Sequence, residues 1–211
     1  MTPKQQTYEL LANTIIKGLK KRQMEGYYAP DKEAAVQLAL SLMPAGSSIA
    51  WGGSMSLSES GLMAALSPDT YDIIDRDKAS SPEEREALKA RIVNADYFLM
   101  STNAITMDGE LINIDGHGTR LSFLIYGPKH VIVLAGMNKV APDRAAAEAR
   151  ARNLASPANS VRLHRNTPCA LTGRCQDCYS PDCICSQFVY TRRSSIPGRI
   201  KVILVGEELG Y

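Results

Sequence analysis

Short runs of apolar residues alternate with helical patterns along most of this 211-residue chain, and that alternation limits its fold more than any other feature. Five runs predict strands, namely residues 48–51, 71–75, 97–101, 130–135 and 200–205. The last two are continuous in Val, Ile and Leu instead of alternating with polar residues, which is typical of parallel strands covered on both faces. The pattern predicts an α/β fold with a mainly parallel sheet and flanking helices.

The rest of the chain fits a single domain over residues 1–211. Residues 1–45 predict N-terminal helices, because apolar residues recur there at helical spacing and Asp31 suits a helix cap. The dipeptide Asp108-Gly109 joins two apolar runs and predicts a β-hairpin, which adds an antiparallel element. Residues 161–163 are one more strand candidate.

The composition is that of a globular protein, with 45% hydrophobic and 22% charged residues. A formal net charge of +2 is too small to indicate nucleic acid or an anionic membrane as the main partner. The apolar stretch near the N-terminus is interrupted by Asn13 and Lys17, and no later run has the length of a membrane helix. We therefore expect a cytoplasmic protein whose thiols stay reduced.

All five cysteines lie between positions 169 and 185, in a segment (residues 166–197) that is too long for a plain loop in a compact domain. A Cys-x-x-Cys pair lets two thiolates reach one metal, and flanking cysteines can complete four-fold coordination. The cofactor would be zinc or an iron–sulfur cluster, with a structural metal, a redox-active cluster and unliganded thiols as the three alternatives. With Cys183 left out, the predicted metal ligands are Cys169, Cys175, Cys178 and Cys185.

Polar residues follow several of the predicted strands, at the sheet edge where open α/β sheets bind ligands. The turn at residues 52–54 suits an anion or serves only as a tight strand-to-helix connection. Arg120 suits a carboxylate or phosphate, whereas His117 is either an acid–base group or an exposed turn residue. The predicted ligand-binding residues are Gly52, Gly53, Ser54, Glu59, Asn103, Asn113, Asp115, Gly116, Arg120 and Lys139.

Four stretches together resemble a known family. They are residues 51–59, residues 102–116, residues 126–133, and the cysteine segment with the strand and Gly206-Glu207 that follow it. In this order they look like the LUD-domain (lactate utilisation, formerly DUF162) family, in a stand-alone subgroup with a C-terminal cysteine motif. Cys183 departs from the subgroup pattern, which has a basic residue there.

The resemblance implies a fold similar to ribose-phosphate isomerase, glucosamine-phosphate isomerase and CoA-transferases. It also implies a link to bacterial oxidation of lactate to pyruvate alongside iron–sulfur partner proteins. The leading hypothesis is a protein of lactate or related 2-hydroxy-acid metabolism that binds a small anionic metabolite and carries a cysteine-ligated metal. It leaves open whether the chain is an enzyme.

Two alternatives remain at this point. One is an iron–sulfur electron-transfer or scaffolding subunit that docks partner dehydrogenase subunits. The weaker one, a phosphosugar isomerase-like enzyme, rests on fold analogy alone. A homo-oligomer is also compatible with the sequence, whereas nucleic acid and membrane partners are not expected.

Overall fold

A computed structural model describes residues 1–211 and contains two sheets. The larger sheet has six strands in the order β1-β10-β7-β4-β2-β3, and every neighbouring pair is parallel. The expected α/β fold with a mainly parallel sheet is therefore confirmed. The six strands are β1 (Glu25–Ala29), β2 (Ser48–Trp51), β3 (Asp72–Ile74), β4 (Tyr97–Met100), β7 (His130–Gly136) and β10 (Ile200–Val205).

Helices cover both faces of this sheet. One face packs against α1, α5 and α6, and the other against α2, α3 and α4. Along β7, Val131 and Val133 point into one core while Ile132 and Leu134 point into the other, which explains the continuous apolar runs. The helices are α1 (Pro3–Lys21), α2 (Lys32–Ser41), α3 (Met55–Glu59), α4 (Leu62–Ala65), α5 (Pro82–Val93) and α6 (Thr119–Ile125).

The smaller sheet is built on the predicted hairpin. Its order is β8-β5-β6-β9, with β5 (Ala104–Thr106), β6 (Leu111–Asp115), β8 (Val140–Ala141) and β9 (Gln187–Thr191). Strands β5 and β6 pair antiparallel around Asp108-Gly109, as expected. Gly109 has φ +84°, and a Cβ there would lie 2.8 Å from the Leu19 nitrogen, so only glycine lets the turn approach α1 this closely.

Two local predictions need correction. Residues 161–163 are not a strand, because helix α7 (Arg144–Arg150) continues through a π-helical turn, Ala151–Ala155, into α8 (Ser156–Arg162). The N-terminal region contains strand β1 in addition to helices. This edge strand was not predicted, because Glu25 and Gly26 are not typical of a β pattern. A short helix, α9 (Pro168–Thr172), begins the cysteine segment.

No helix of the chain combines the length and the apolar character needed to cross a membrane. Because all six strands of the large sheet run in the same direction, their carboxyl ends meet at one edge. The chain leaves that edge through Gly52 after β2, Ser101 after β4 and Met137 after β7. These exits bring the polar residues of three separate stretches together.

Candidate functional site: a cationic cleft at the carboxyl edge

A cleft of about 790 Å³ opens at the carboxyl edge of the large sheet. Its walls come from the exits of β2, β4 and β7, from the glycine turn after β6, from α8 and from the cysteine segment. The structure thus brings together stretches that lie far apart in the sequence. The predicted ligand-binding residues that line the cleft are Gly53, Ser54, Asn103, Asp115, Gly116, Arg120 and Lys139.

Three predicted residues do not line this cleft. Gly52 is buried behind it, and a Cβ there would come within 3.0 Å of the Arg120 Cγ, so the glycine makes room for that side chain. Asn113 is buried and supports the same arginine. Glu59 is exposed on another face, where its Oε2 accepts a hydrogen bond from the Gly210 nitrogen at 2.6 Å.

The charge of the lining favours an anion. Seven cationic side chains face the cleft against three aspartates, Asp77, Asp115 and Asp182. Each aspartate pairs with one of the arginines, and Lys89 pairs with Glu86 outside the cleft, which leaves three cations without an ion pair. The seven cationic residues are Arg76, Arg85, Lys89, Arg120, Lys139, Arg162 and Arg165.

Arg120 organises the floor of the cleft, and its side chain is only 15% exposed. Its guanidinium donates to the carbonyl oxygens of Ser101 and Ile114 at 3.0 and 2.9 Å. It also donates to the Oδ1 atoms of Asn113 and Asn103 at 2.8 and 3.1 Å. The arginine therefore ties the exit of β4 to strand β6, because a buried guanidinium requires several acceptors at once.

Lys139 is the most deeply buried cation of the lining, with 3% of the residue exposed. Its Nζ lies 2.8 Å from the Ser56 Oγ, 3.0 Å from the Ser101 Oγ and 3.2 Å from the Thr102 carbonyl oxygen. No carboxylate forms an ion pair with it. Burial, together with the nearby guanidinium groups of Arg150 and Arg120, lowers the pKa of Lys139 to about 7.

Most of the surrounding contributors were not predicted from the sequence. Ser101 ends a predicted strand and Thr102 follows it, so their position at the strand exit was the signal that could have identified them. Arg85, Lys89 and Arg162 carry no such signal, because charged residues on a helix ordinarily face solvent. His117 is exposed at the rim of the cleft.

The cysteine segment forms one wall of the same cleft through Asp182, Cys183 and Ile184, among others. The Cys183 thiol contacts those of Cys178 and Cys185, and its pKa is raised by burial and by Cys178. Burial, with Cys183 and Cys175 nearby, raises the pKa of Cys185 to about 11. These four thiols are therefore neighbours.

The fifth cysteine, Cys169, lies apart from that group in its contacts. It is buried against the hydroxyl oxygens of Thr167 and Ser160, at 3.3 and 3.5 Å from its sulfur. The Cys175 sulfur accepts a hydrogen bond from the Arg152 Nη2 at 3.8 Å. No three His, Cys, Asp or Glu side chains are arranged to hold one metal ion, so the predicted ligand set stays a prediction.

Comparison with known proteins gives a family and two remote structural relatives. A DUF162 family protein from Deinococcus radiodurans is 13% identical and aligns over 94% of this chain and 98% of its own, with a TM-score of 0.47. The eIF2B delta of Chaetomium thermophilum is 16% identical over 65% of this chain and 53% of its own, with a TM-score of 0.37. No curated protein matches. The model of the LUD domain matches residues 12–205, nearly the whole length described above, and the chain therefore belongs to the LUD domain family.

Proposed function

We propose that this LUD-domain protein binds a small organic anion in the cleft and takes part in the metabolism of lactate or a related 2-hydroxy acid. The observation that carries the proposal is the excess of cations over carboxylates at the carboxyl edge of the sheet. Asp77, Asp115 and Asp182 each neutralise one arginine and Glu86 pairs with Lys89. The three remaining cations, Arg85, Lys139 and Arg162, are compensated when a ligand brings its own negative charge.

The unpaired groups are spread around the cleft. Arg85 lies on α5 and Arg162 on α8, while Lys139 lies at the floor, so cations surround the space from three directions. Serine and threonine hydroxyls, including those of Ser54 and Thr119, add donors for the oxygen atoms of a carboxylate or a 2-hydroxyl group. A small, polar and negatively charged metabolite matches this lining better than an apolar one.

Thermal denaturation with a panel of anions tests the proposal. We expect lactate, pyruvate, a sugar phosphate or a CoA ester at millimolar concentration to raise the melting temperature, since a ligand at 100 times its Kd adds about 2.7 kcal/mol. The two variants Arg85→Gln and Arg162→Gln should lose this stabilisation. The control variant Arg91→Gln should keep it, because Arg91 pairs with Asp72 outside the cleft. No stabilisation by any of these anions would contradict the proposal.

We also propose that the cysteine segment carries zinc or an iron–sulfur cluster held by Cys169, Cys175, Cys178 and Cys185. Two observations support it. Thiol sulfur is the donor that both metals take, and three of the four proposed ligands, Cys175, Cys178 and Cys185, are neighbours in the structure. The segment also has little apolar core of its own, with Thr167 and Cys169 its only buried members between residues 166 and 186.

Metal analysis and a visible spectrum of anaerobically purified protein test this second proposal. We expect stoichiometric zinc or iron in the wild type and in Cys183→Ser, and loss of the metal in Cys178→Ser. A brown, reducible protein that co-purifies with dehydrogenase subunits would favour the electron-transfer role. A preparation without zinc or iron would contradict the metal centre, and loss of metal only in Cys183→Ser would overturn the proposed ligand set.

A further inference from the structure

The position of Lys139 is unusual for a buried lysine. All three hydrogen-bond partners of its Nζ are uncharged, namely the Ser56 and Ser101 hydroxyl oxygens and the Thr102 carbonyl oxygen. Buried charges in proteins are ordinarily paired, because an unpaired one loses its hydration without compensation. An ammonium group donates to all three partners, whereas an uncharged amine donates to two of them and meets the third with its lone pair, without any carboxylate being left unpaired.

The charged groups around Lys139 act in the same direction as its burial. Arg150 on α7 and Arg120 on α6 both disfavour a proton on the amine, and only Glu59 on α3 opposes them. With a pKa of about 7, a large fraction of the side chain is a neutral amine at physiological pH. Desolvation beside other cations is a recognised way of turning a lysine into a nucleophile.

The two hydroxyl partners supply what such a nucleophile needs. Ser56 and Ser101 lie 2.8 and 3.0 Å from the Nζ, and a hydroxyl can either donate or accept a proton. The Ser56 hydroxyl also donates to the Leu209 carbonyl oxygen at 3.1 Å, which fixes the position of its oxygen. Protons can therefore move between the amine and its neighbours without a charged residue.

We propose that Lys139 forms an imine with a small carbonyl compound that carries a carboxylate next to the carbonyl, a 2-oxo acid. The proposal rests on the anion-binding function of the cleft and gives that site a substrate class and a covalent step. The surrounding cations bind the carboxylate, and the carbonyl carbon is then presented to the amine at the floor.

The step balances without an oxidant, a reductant or a metal. The lone pair of the neutral amine forms the N–C bond while the π electrons of the carbonyl move to its oxygen. That oxygen takes up the two hydrogens that the nitrogen loses, with the Ser56 and Ser101 hydroxyls as carriers, and leaves as water. The nitrogen lone pair completes the C=N bond.

Reductive trapping on the full-length protein tests this step. The wild type is incubated with pyruvate and cyanoborohydride at pH 7.5, digested, and mapped by mass spectrometry. We expect a carboxyethyl group on Lys139 as the principal modification and little on Lys129, an exposed lysine that pairs with Asp96 and serves as the internal control. The variant Lys139→Arg should lose the label, and Lys129→Arg should keep it.

The outcomes separate this proposal from the one on which it rests. If pyruvate raises the melting temperature but Lys139 stays unmodified, the imine is wrong and the anion site stands. If pyruvate gives neither stabilisation nor label and the other anions of the panel also fail to stabilise the protein, the anion site is wrong as well. Dihydroxyacetone phosphate is the second probe, and labelling of Lys139 by this phosphate in place of pyruvate would overturn the assignment to 2-oxo acids. Equal labelling of Lys139 and Lys129 would show nonspecific chemistry and overturn the proposal.

Discussion

The two ends of strand β7 carry lysines in opposite surroundings. At the amino end, the side chain of Lys129 is 70% exposed and its Nζ lies 2.7 Å from the Asp96 Oδ1, which raises the pKa of the lysine. At the carboxyl end, Lys139 is buried without a carboxylate, and burial lowers its pKa to about 7. One strand thus separates an ion-paired surface lysine from a buried lysine that has no carboxylate partner.

This contrast distinguishes the edge of the sheet that stabilises the fold from the edge where we propose that a ligand binds. An ion pair at the amino edge is a modest stabilising device in an exposed position. A buried amine beside two guanidinium groups destabilises the folded protein. Local losses of stability of this kind are typical of functional sites. The contrast can be tested by substitutions at both edges.

The largest effect is expected at the floor of the cleft, for Arg120→Met. The substitution leaves the largely buried Asp115 without its ion-pair partner and removes the donor that Asn113, Asn103 and two carbonyl oxygens share. We expect the free energy of unfolding to fall by about 3–5 kcal/mol. Urea denaturation measures it. Arg91→Met, at an exposed pair with Asp72, is the control and should change stability by less than about 1 kcal/mol. Equal effects would mean that Arg120 does not hold the carboxyl edge together.

The second-largest effect is expected for Lys139→Met, and it appears in the pH dependence of stability. Between pH 7 and 10.5 the unfolded chain binds a proton at this residue and the folded chain does not, so wild-type stability rises with pH in that window. Relative to Lys139→Met, we expect a rise of about 1.4 kcal/mol per pH unit between pH 8 and 9.5, with no rise below pH 6. Chemical denaturation across this range measures the difference. A difference that does not change with pH would show that Lys139 keeps an ordinary pKa.

The smallest effect is expected at the amino edge, for Asp96→Asn. The Lys129 ammonium, with the Ser48 nitrogen and hydroxyl, lowers the pKa of Asp96 to about 2, so its contribution is present above pH 3.8 and is lost as the pH falls toward 2. Because the Asp96 side chain is 30% exposed, we expect a loss of only about 1 kcal/mol at pH 7. Denaturation at pH 7 and near pH 2 should show the difference shrinking in acid. An undiminished difference would contradict the role of the carboxylate.

The sheet and the hairpin could be predicted because both have local sequence patterns. Continuous apolar runs indicated β7 and β10, and Asp108-Gly109 indicated the turn. Strand β1 has no such pattern, since Glu25 and Gly26 are poor strand formers. Pairing with β10 stabilises these residues in the strand.

Prediction of the site was limited in another way. Lys139 and Arg120 were identified from their place after strands, yet the burial of Lys139 depends on Ser56, Arg150 and Ser101, which only the tertiary structure brings near. Arg85 and Arg162 lie on helices whose charged residues look like ordinary solvated faces. Local patterns thus located the edge of the sheet, while the charge balance of the cleft is a property of the folded chain.

The most direct test of the account is the pKa of Lys139 measured by NMR on protein labelled with ¹³C-lysine, the signal being assigned with Lys139→Arg. We predict one lysine that titrates near pH 7 in the free protein and at a higher pH when lactate, which has no ketone to form an imine, occupies the cleft, because a bound anion favours the ammonium form. A Lys139 signal that titrates together with that of Lys129, and that does not respond to lactate, would contradict both the buried amine and the anion site.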